Sequence, residues 1–207
     1  MTDELIAALA LGALMLGSVR LDWGDGWAWP LPSIRVEGRT YPATISDGLG
    51  SPRPGGRRHD GVDVDYQRSS RSDLVTRYPP GTSSGTRGFF APPGVPVLAA
   101  RAGRVWSAGR TARGIMVVID HGKPWSTLYQ HLDSTTLSRH ARGLDVGTGT
   151  PTLVRAGDVL GVMGADPVQG TRAFRHLHFE TWHEGKPVDP ASAMATWARP
   201  SYLHEVT

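Results

Sequence analysis

From Val95 onward the chain alternates short apolar runs with turn-forming residues. Val95-Pro-Val-Leu-Ala-Ala100 and Gly103-Arg-Val-Trp106 are bounded by glycine and proline, and Ile115-Met-Val-Val-Ile119 is a β-branched run ended by Asp120-His-Gly122. Ser126 to Leu132, Val159 to Met163 and His176 to His183 follow as further predicted strands. Strands at this spacing, joined by turns and without helices between them, predict a mostly β fold: an antiparallel sandwich or barrel-like core rather than a βαβ architecture. The β-rich zone runs from about Ile34 to Pro190.

The two ends have a different pattern. Leu5 to Val19 is an almost unbroken apolar or small run, preceded by Asp3 and Glu4 and followed by Arg20. It predicts a short helix over residues 3–20, capped by Thr2 or Asp3 with acidic groups in the first turn. The run is shorter than the roughly 20 residues that span a bilayer, and it lacks both a positive leading region and an A-x-A cleavage pattern. Two expectations follow: an atypical export or anchor segment, or a helix that docks on a membrane or a larger assembly. Next comes a connector with Trp23, Trp27, Trp29, Pro30 and Pro32, whose glycines and prolines stop any helix and whose aromatics are expected to pack on something. At the other end Ala191 to Ala198 predicts one short helix before Pro200. The expected division is an apolar segment over 1–22, an irregular Trp/Pro-rich connector over 23–45, one domain over 46–190 and a tail over 191–207.

Composition narrows the class. The chain has 207 residues, 39% hydrophobic and 20% charged, which suits a folded domain rather than a disordered one. Glycine (26) and proline (16) are in excess and favour strands joined by turns. The absence of cysteine excludes disulfides and thiolate metal sites. A net charge of +3 and a pI near 9.6 suit an anionic partner, but no lysine-rich tract, zinc-finger spacing or aromatic platform signature points to nucleic acid, and none is expected.

Histidines carry the candidate chemistry. His59-Asp-Gly-Val-Asp63 sets an imidazole and a carboxylate four residues apart, in a segment that Gly61, Val62 and Val64 keep extended. Positions 59, 61 and 63 then share a face, with Gly61 expected to leave space between the two side chains. In His176-Leu-His178-Phe-Glu180 alternation sends His176, His178 and Glu180 to one side, with Leu177 and Phe179 to the core. In Tyr129-Gln-His131 the same rule puts Tyr129 and His131 on a shared face. Two histidines and a carboxylate form a catalytic zinc set with one position open for water, and further histidines beside it can serve acid–base chemistry. His121, His140, His183 and His204 are expected to be surface or hydrogen-bonded residues.

Taken together the motifs resemble the lysostaphin/LytM-type zinc metallopeptidases, enzymes with a duplicated hybrid motif fold that cleave peptidoglycan peptides. The likeness starts at Ser46-Asp-Gly-Leu-Gly-Ser-Pro-Arg53, similar to the family's S-x-F-G-x-R strand, with Leu49 where phenylalanine is usual. It continues through His59-x-Gly61-x-Asp63, Pro93 to Ala99, Gly103-Arg-Val105, Val118 to Gly122, Tyr129-x-His131-Leu132, Ala156 to Gly161 and His176-Leu-His178-Phe-Glu180. The resemblance implies one zinc ion per chain bound by His59, Asp63 and His178, with His131 and His176 as the catalytic pair. It implies a peptidoglycan peptide as substrate, in wall remodelling at the cell envelope or in a phage-tail or injection-device setting. Glu180 is a candidate to support a ligand from behind, while Trp125 and Trp182 are candidates for the groove or for core packing.

Two departures stand out. Gln67 to Phe90 is a long polar stretch, expected to be a surface loop beside the groove. The approach to the last motif, Ala165-Asp-Pro-Val-Gln and Arg172-Ala-Phe-Arg175, is also altered, and Arg175 is expected to meet a substrate carboxylate. The alternative from another class is a non-catalytic relative that binds wall or regulates. A mononuclear iron oxygenase shares the two-histidine, one-carboxylate set but leaves His131 and His176 without roles.

Overall fold

The computed structural model describes residues 24–67, 88–168, 174–200 and 203–206. The expected N-terminal helix and most of the stretch from Gln67 to Phe90 lie outside the described residues. The amino-terminal half carries β1 (Ser33–Val36), β2 (Arg39–Tyr41), β3 (Ala43–Asp47), β4 (Val62–Gln67) and β5 (Phe89–Phe90). The centre carries β6 (Pro96–Leu98), β7 (Gly103–Thr111), β8 (Gly114–Asp120) and β9 (Trp125–Thr135). After them come β10 (His140–Ala141), β11 (Leu144–Asp145), β12 (Leu153–Val154) and β13 (Val159–Met163). The chain closes with β14 (Leu177–His183), β15 (Lys186–Val188), α1 (Ala191–Met194) and β16 (Leu203–Val206).

Mostly antiparallel strands are what the sequence pattern predicts. Among the described residues the main sheet runs β11-β10-β7-β8-β9-β14-β4-β3, and it does not close into a barrel. At its centre β14 lies between β4 and β9, so that His178 is the register partner of Asp63 on one side and of Gln130 on the other. The opposite parity of β14 is apolar: Leu177 and Phe179 are fully buried, and the Phe179 ring meets Tyr129 at 5.3 Å between centroids. One face of three neighbouring strands therefore anchors in the core while the other gathers polar groups.

Parity fails at one place, and the failure builds the site. Tyr129 and His131 do not share a face. Tyr129 is fully buried on the core side, where its hydroxyl accepts the Ala100 N–H at 2.7 Å. The register of β8 against β9 shifts between Ile115 and Val117, and that of β13 against β9 shifts between Val162 and Met163. His131 sits in this bulge with φ of 70°. A bulge with a left-handed residue adds one position to the strand and re-aims its side chain, which turns His131 towards the polar face.

The stretch expected to be an irregular connector is largely structured. It holds β1, β2 and the start of β3, with Ile34 and Val36 buried two apart in β1 and Tyr41 and Ala43 two apart where β2 passes into β3. Upstream, Trp27 stacks on Trp197 at 4.8 Å and meets Trp125 edge-on at 5.6 Å, and Trp29 donates from Nε1 to the Met194 carbonyl at 2.9 Å. The same packing shortens the C-terminal helix from the predicted Ala191 to Ala198 to a single turn, α1. Trp197 is drawn into the core, and Ala198 pairs with Ala28 instead of continuing the helix.

Candidate metal centre

Three donor atoms from two distant segments converge. His59 Nε2 lies 2.9 Å from His178 Nδ1 and 3.0 Å from Asp63 Oδ1, and His178 Nδ1 lies 3.2 Å from the same oxygen. Donors held by a tetrahedral zinc ion at about 2.0–2.1 Å are separated by roughly 3.3 Å, so the triangle has the size of one coordination shell. Among the described residues, this is the group of three side chains placed to hold a metal ion. The donor types, two imidazoles and a carboxylate, fit zinc.

Each donor is oriented from behind. The His59 Nδ1–H donates to the Gly48 carbonyl at 2.9 Å, leaving Nε2 with its lone pair towards the cluster. His59 itself is fixed by backbone bonds to Ser51 and Gly50. His178 Nε2 bonds Glu180 Oε1 at 2.8 Å, so Nδ1 is the inward atom. Asp63 turns Oδ1 inward because Arg53 Nη2 holds Oδ2 at 3.1 Å, and Arg53 Nη1 is tied to Asp47 Oδ2 at 2.5 Å.

His131 and His176 stand beside this triangle. Their rings are 4.8 Å apart, and the His131 ring is 5.8 Å from that of His178. The His131 Nδ1–H donates to the Arg113 carbonyl and the His176 Nδ1–H to the Phe174 carbonyl, both at 2.9 Å. Their Nε2 atoms are left facing the cluster, that of His176 lying 3.6 Å from Asp63 Oδ1. The five predicted residues, His59, Asp63, His131, His176 and His178, are thus brought to one place.

Electrostatics sort these groups. Burial works against a charge on Asp63, but His176, His178 and His59 outweigh it and hold its carboxyl well below the usual range. Burial also opposes a charge on His178, yet the hydrogen bonds and charges of Asp63 and Glu180 push its pKa up to about 9. The cluster draws positive charge inward, as a cation site must. Burial and the neighbouring His176 press the His131 pKa down to about 4, so its ring is neutral near pH 7.

Peptidase family M23 matches residues 83–190, just over half of the chain. The chain belongs to Peptidase family M23. The matched span takes in His131, His176 and His178 and begins beyond His59 and Asp63, which the fold nonetheless delivers to the same point. Two curated proteins with similar sequences are the cell division protein DipM of Caulobacter vibrioides and the DD-carboxypeptidase/endopeptidase Mpg of Neisseria meningitidis. DipM is 31% identical over 132 residues, covering 58% of this M23 chain and 19% of DipM. Mpg is 34% identical over 105 residues, covering 50% of this chain and 21% of Mpg. The chain thus aligns with about a fifth of the length of each. A chain of the SpoIIQ-SpoIIIAH pore forming complex shares the fold at 16% identity and a TM-score of 0.52, over 86% of this chain and 94% of that one.

Several parts of this candidate site carry no signal in the sequence. The Gly48, Arg113 and Phe174 carbonyls that orient three histidines are main-chain groups, which any residue supplies. Arg53 lies in a recognisable motif, but its bond to Asp63 depends on a fold not visible locally. Gly61 does not separate His59 from Asp63: a Cβ there would lie 2.4 Å from the Phe179 carbonyl oxygen and 2.8 Å from Glu180 Cγ. Trp125 belongs to the core, whereas half-buried Trp182 bonds Glu180 Oε2 at 2.7 Å. His121 and His140 bond main-chain carbonyls and threonine hydroxyls, and His183 packs on Trp125.

Proposed function

We propose that this protein is a zinc-dependent endopeptidase that hydrolyses peptide bonds of bacterial peptidoglycan. The convergence of His59 Nε2, His178 Nδ1 and Asp63 Oδ1 on one point, with two further histidines alongside, carries the reading. In it His59, Asp63 and His178 hold the metal, and His131 and His176 serve the reaction. Bound there, zinc supplies a Lewis acid that polarises the scissile carbonyl and makes the attacking water more acidic.

The chain's own groups supply the rest. His131 is neutral, with its proton committed to the Arg113 carbonyl, so Nε2 is free to take a proton from water and return it to the departing amine. His176 Nε2 lies close enough to the cluster to hydrogen-bond the charge that develops on the carbonyl oxygen. Arg175, next to His176 in the chain, is partly exposed and loosely paired with Asp133 Oδ2 at 3.9 Å, and in this reading it meets a carboxylate of the stem peptide. The names of relatives such as Mpg, a DD-carboxypeptidase/endopeptidase, support a wall peptide as substrate.

Such a substrate puts the enzyme at the cell envelope or on a particle that breaches it, with residues 3–20 as the docking element and residues 46–190 as the catalytic unit. Purified protein loaded with one equivalent of zinc should release peptide fragments from defined muropeptides, identified by mass spectrometry. Asp63→Ala and His178→Ala should lose both zinc and hydrolysis. A wild-type protein that folds but retains no zinc and cuts no muropeptide would support the non-catalytic module instead.

A further inference from the structure

The four histidines of the site are not backed alike. His59, His131 and His176 each donate from Nδ1 to a main-chain carbonyl, whereas His178 is backed at Nε2 by a carboxylate, Glu180 Oε1 at 2.8 Å. The second oxygen of Glu180 accepts the Trp182 Nε1–H at 2.7 Å. Alternation along β14 puts His178, Glu180 and Trp182 on one side, where the Glu180 carboxylate reaches the His178 ring. Gly61 closes over it, because a methyl group at 61 would collide with Glu180 Cγ and the Phe179 carbonyl. The glycine of the first histidine motif thus makes room for the carboxylate of the last.

We propose that Glu180 is a positioning residue for the metal centre: it keeps the proton of His178 on Nε2, so that Nδ1 presents its lone pair to the cation, and Trp182 locks Glu180 in that pose. The choice arises for the neutral ring that binds a cation. Asp63 Oδ1 lies 3.2 Å from Nδ1 and is an acceptor that favours the opposite tautomer, in which the lone pair needed by zinc is lost. Glu180 competes from a shorter distance, and its second oxygen is already committed. A carboxylate behind a ligating imidazole also raises the basicity of the inward nitrogen.

The inference rests on the zinc reading, and the test separates the two. Zinc dissociation constants of the full chain are measured by competition with a chromophoric chelator for wild type, Glu180→Ala, Glu180→Gln and Trp182→Phe. Glu180→Ala should weaken zinc by about 10- to 100-fold. Glu180→Gln should fall in between, because an amide can serve His178 or Trp182 as acceptor but not both, and Trp182→Phe should cost a few-fold. In the zinc-loaded wild type, the imidazole nitrogen-15 shifts of His178 should report a protonated Nε2 and a coordinated Nδ1. If Glu180→Ala fails to fold, the Gln and Phe variants decide. Variants that bind zinc within twofold of wild type, or coordination through Nε2, would overturn the proposal. A wild type that binds no zinc would remove the zinc reading, and this inference with it.

Discussion

His59 Nε2 and His178 Nδ1 face each other at 2.9 Å across 119 residues of sequence, with Asp63 Oδ1 completing the triangle. Inward lone pairs and a carboxylate oxygen this close repel one another unless positive charge lies among them. In the metal-free protein a proton on His178 supplies it, and a bound cation supplies it better. Zinc should therefore stabilise the fold. At a free concentration 100 times its dissociation constant the gain is about 2.7 kcal/mol, or several degrees in Tm for a domain of this size. Thermal unfolding with added zinc and with excess chelator checks this, and coincident melting curves would refute the site as a metal centre.

His131 should separate chemistry from metal binding. Its side chain enters the cluster through the bulge, and its Nδ1 is occupied by the Arg113 carbonyl. It contributes no atom to the donor triangle. His131→Ala should retain stoichiometric zinc while losing about 10²- to 10⁴-fold in kcat on a muropeptide. Full turnover in that variant would show that the proton is moved by another group.

How much of this could be read from the sequence depended on whether local rules were enough. Alternation in His176-Leu-His178-Phe-Glu180 was enough, because a regular central strand obeys period two and Leu177 and Phe179 mark the core side. The same rule misplaced His131 relative to Tyr129, since the bulge at φ 70° falls on a histidine and no glycine announces it. Gly61 was recognisable as a place that needs room, but its neighbour, Glu180, is 119 positions away and enters only through β4–β14 pairing. The tail was misjudged for a related reason: Ala191 to Ala198 has helical composition, and the pull of Trp27 on Trp197 overrides it after one turn.

Asp65 is an unexpected feature two residues beyond Asp63. It is completely buried and neither oxygen makes a well-formed hydrogen bond; burial, helped by the charge of Asp63, pushes its carboxyl pKa well up although the nearby Ser46 hydroxyl pulls the other way. The hydroxyl of Ser46, on the adjacent strand β3, donates to the Asp63 carbonyl at 3.3 Å. An unpaired buried polar group costs about 1–3 kcal/mol. Asp65→Ala removes that cost at the expense of a small void and should raise stability by about 1 kcal/mol. Urea unfolding of the two proteins measures the difference, and a loss of stability in the variant would mean that the carboxyl has a stabilising partner.

His121 should make the fold acid-sensitive. Its Nδ1–H donates to the Ala102 carbonyl at 2.9 Å, and its Nε2 lies 2.8 Å from the Thr127 hydroxyl oxygen. Beyond it the Thr127 hydroxyl donates to the buried Tyr129 hydroxyl at 3.1 Å, which also accepts the Ala100 N–H at 2.7 Å. Burial, reinforced by Arg101, lowers the His121 pKa from 6.5 to about 4, although Ala102 and Asp120 pull the other way. Above pH 6.5 the ring is neutral both folded and unfolded and contributes no pH dependence. Between 6.5 and about 4 the unfolded chain takes up a proton that the folded protein refuses, so stability falls as pH falls. The full loss, discounted for the partial exposure of the ring, is on the order of 2 kcal/mol. His121→Gln cannot titrate in this range, and its unfolding free energy should decline less than that of wild type between pH 6.5 and 4.5. Other titrating groups are common to both proteins and cancel in the comparison, so parallel pH profiles would show that His121 is not held neutral by its burial.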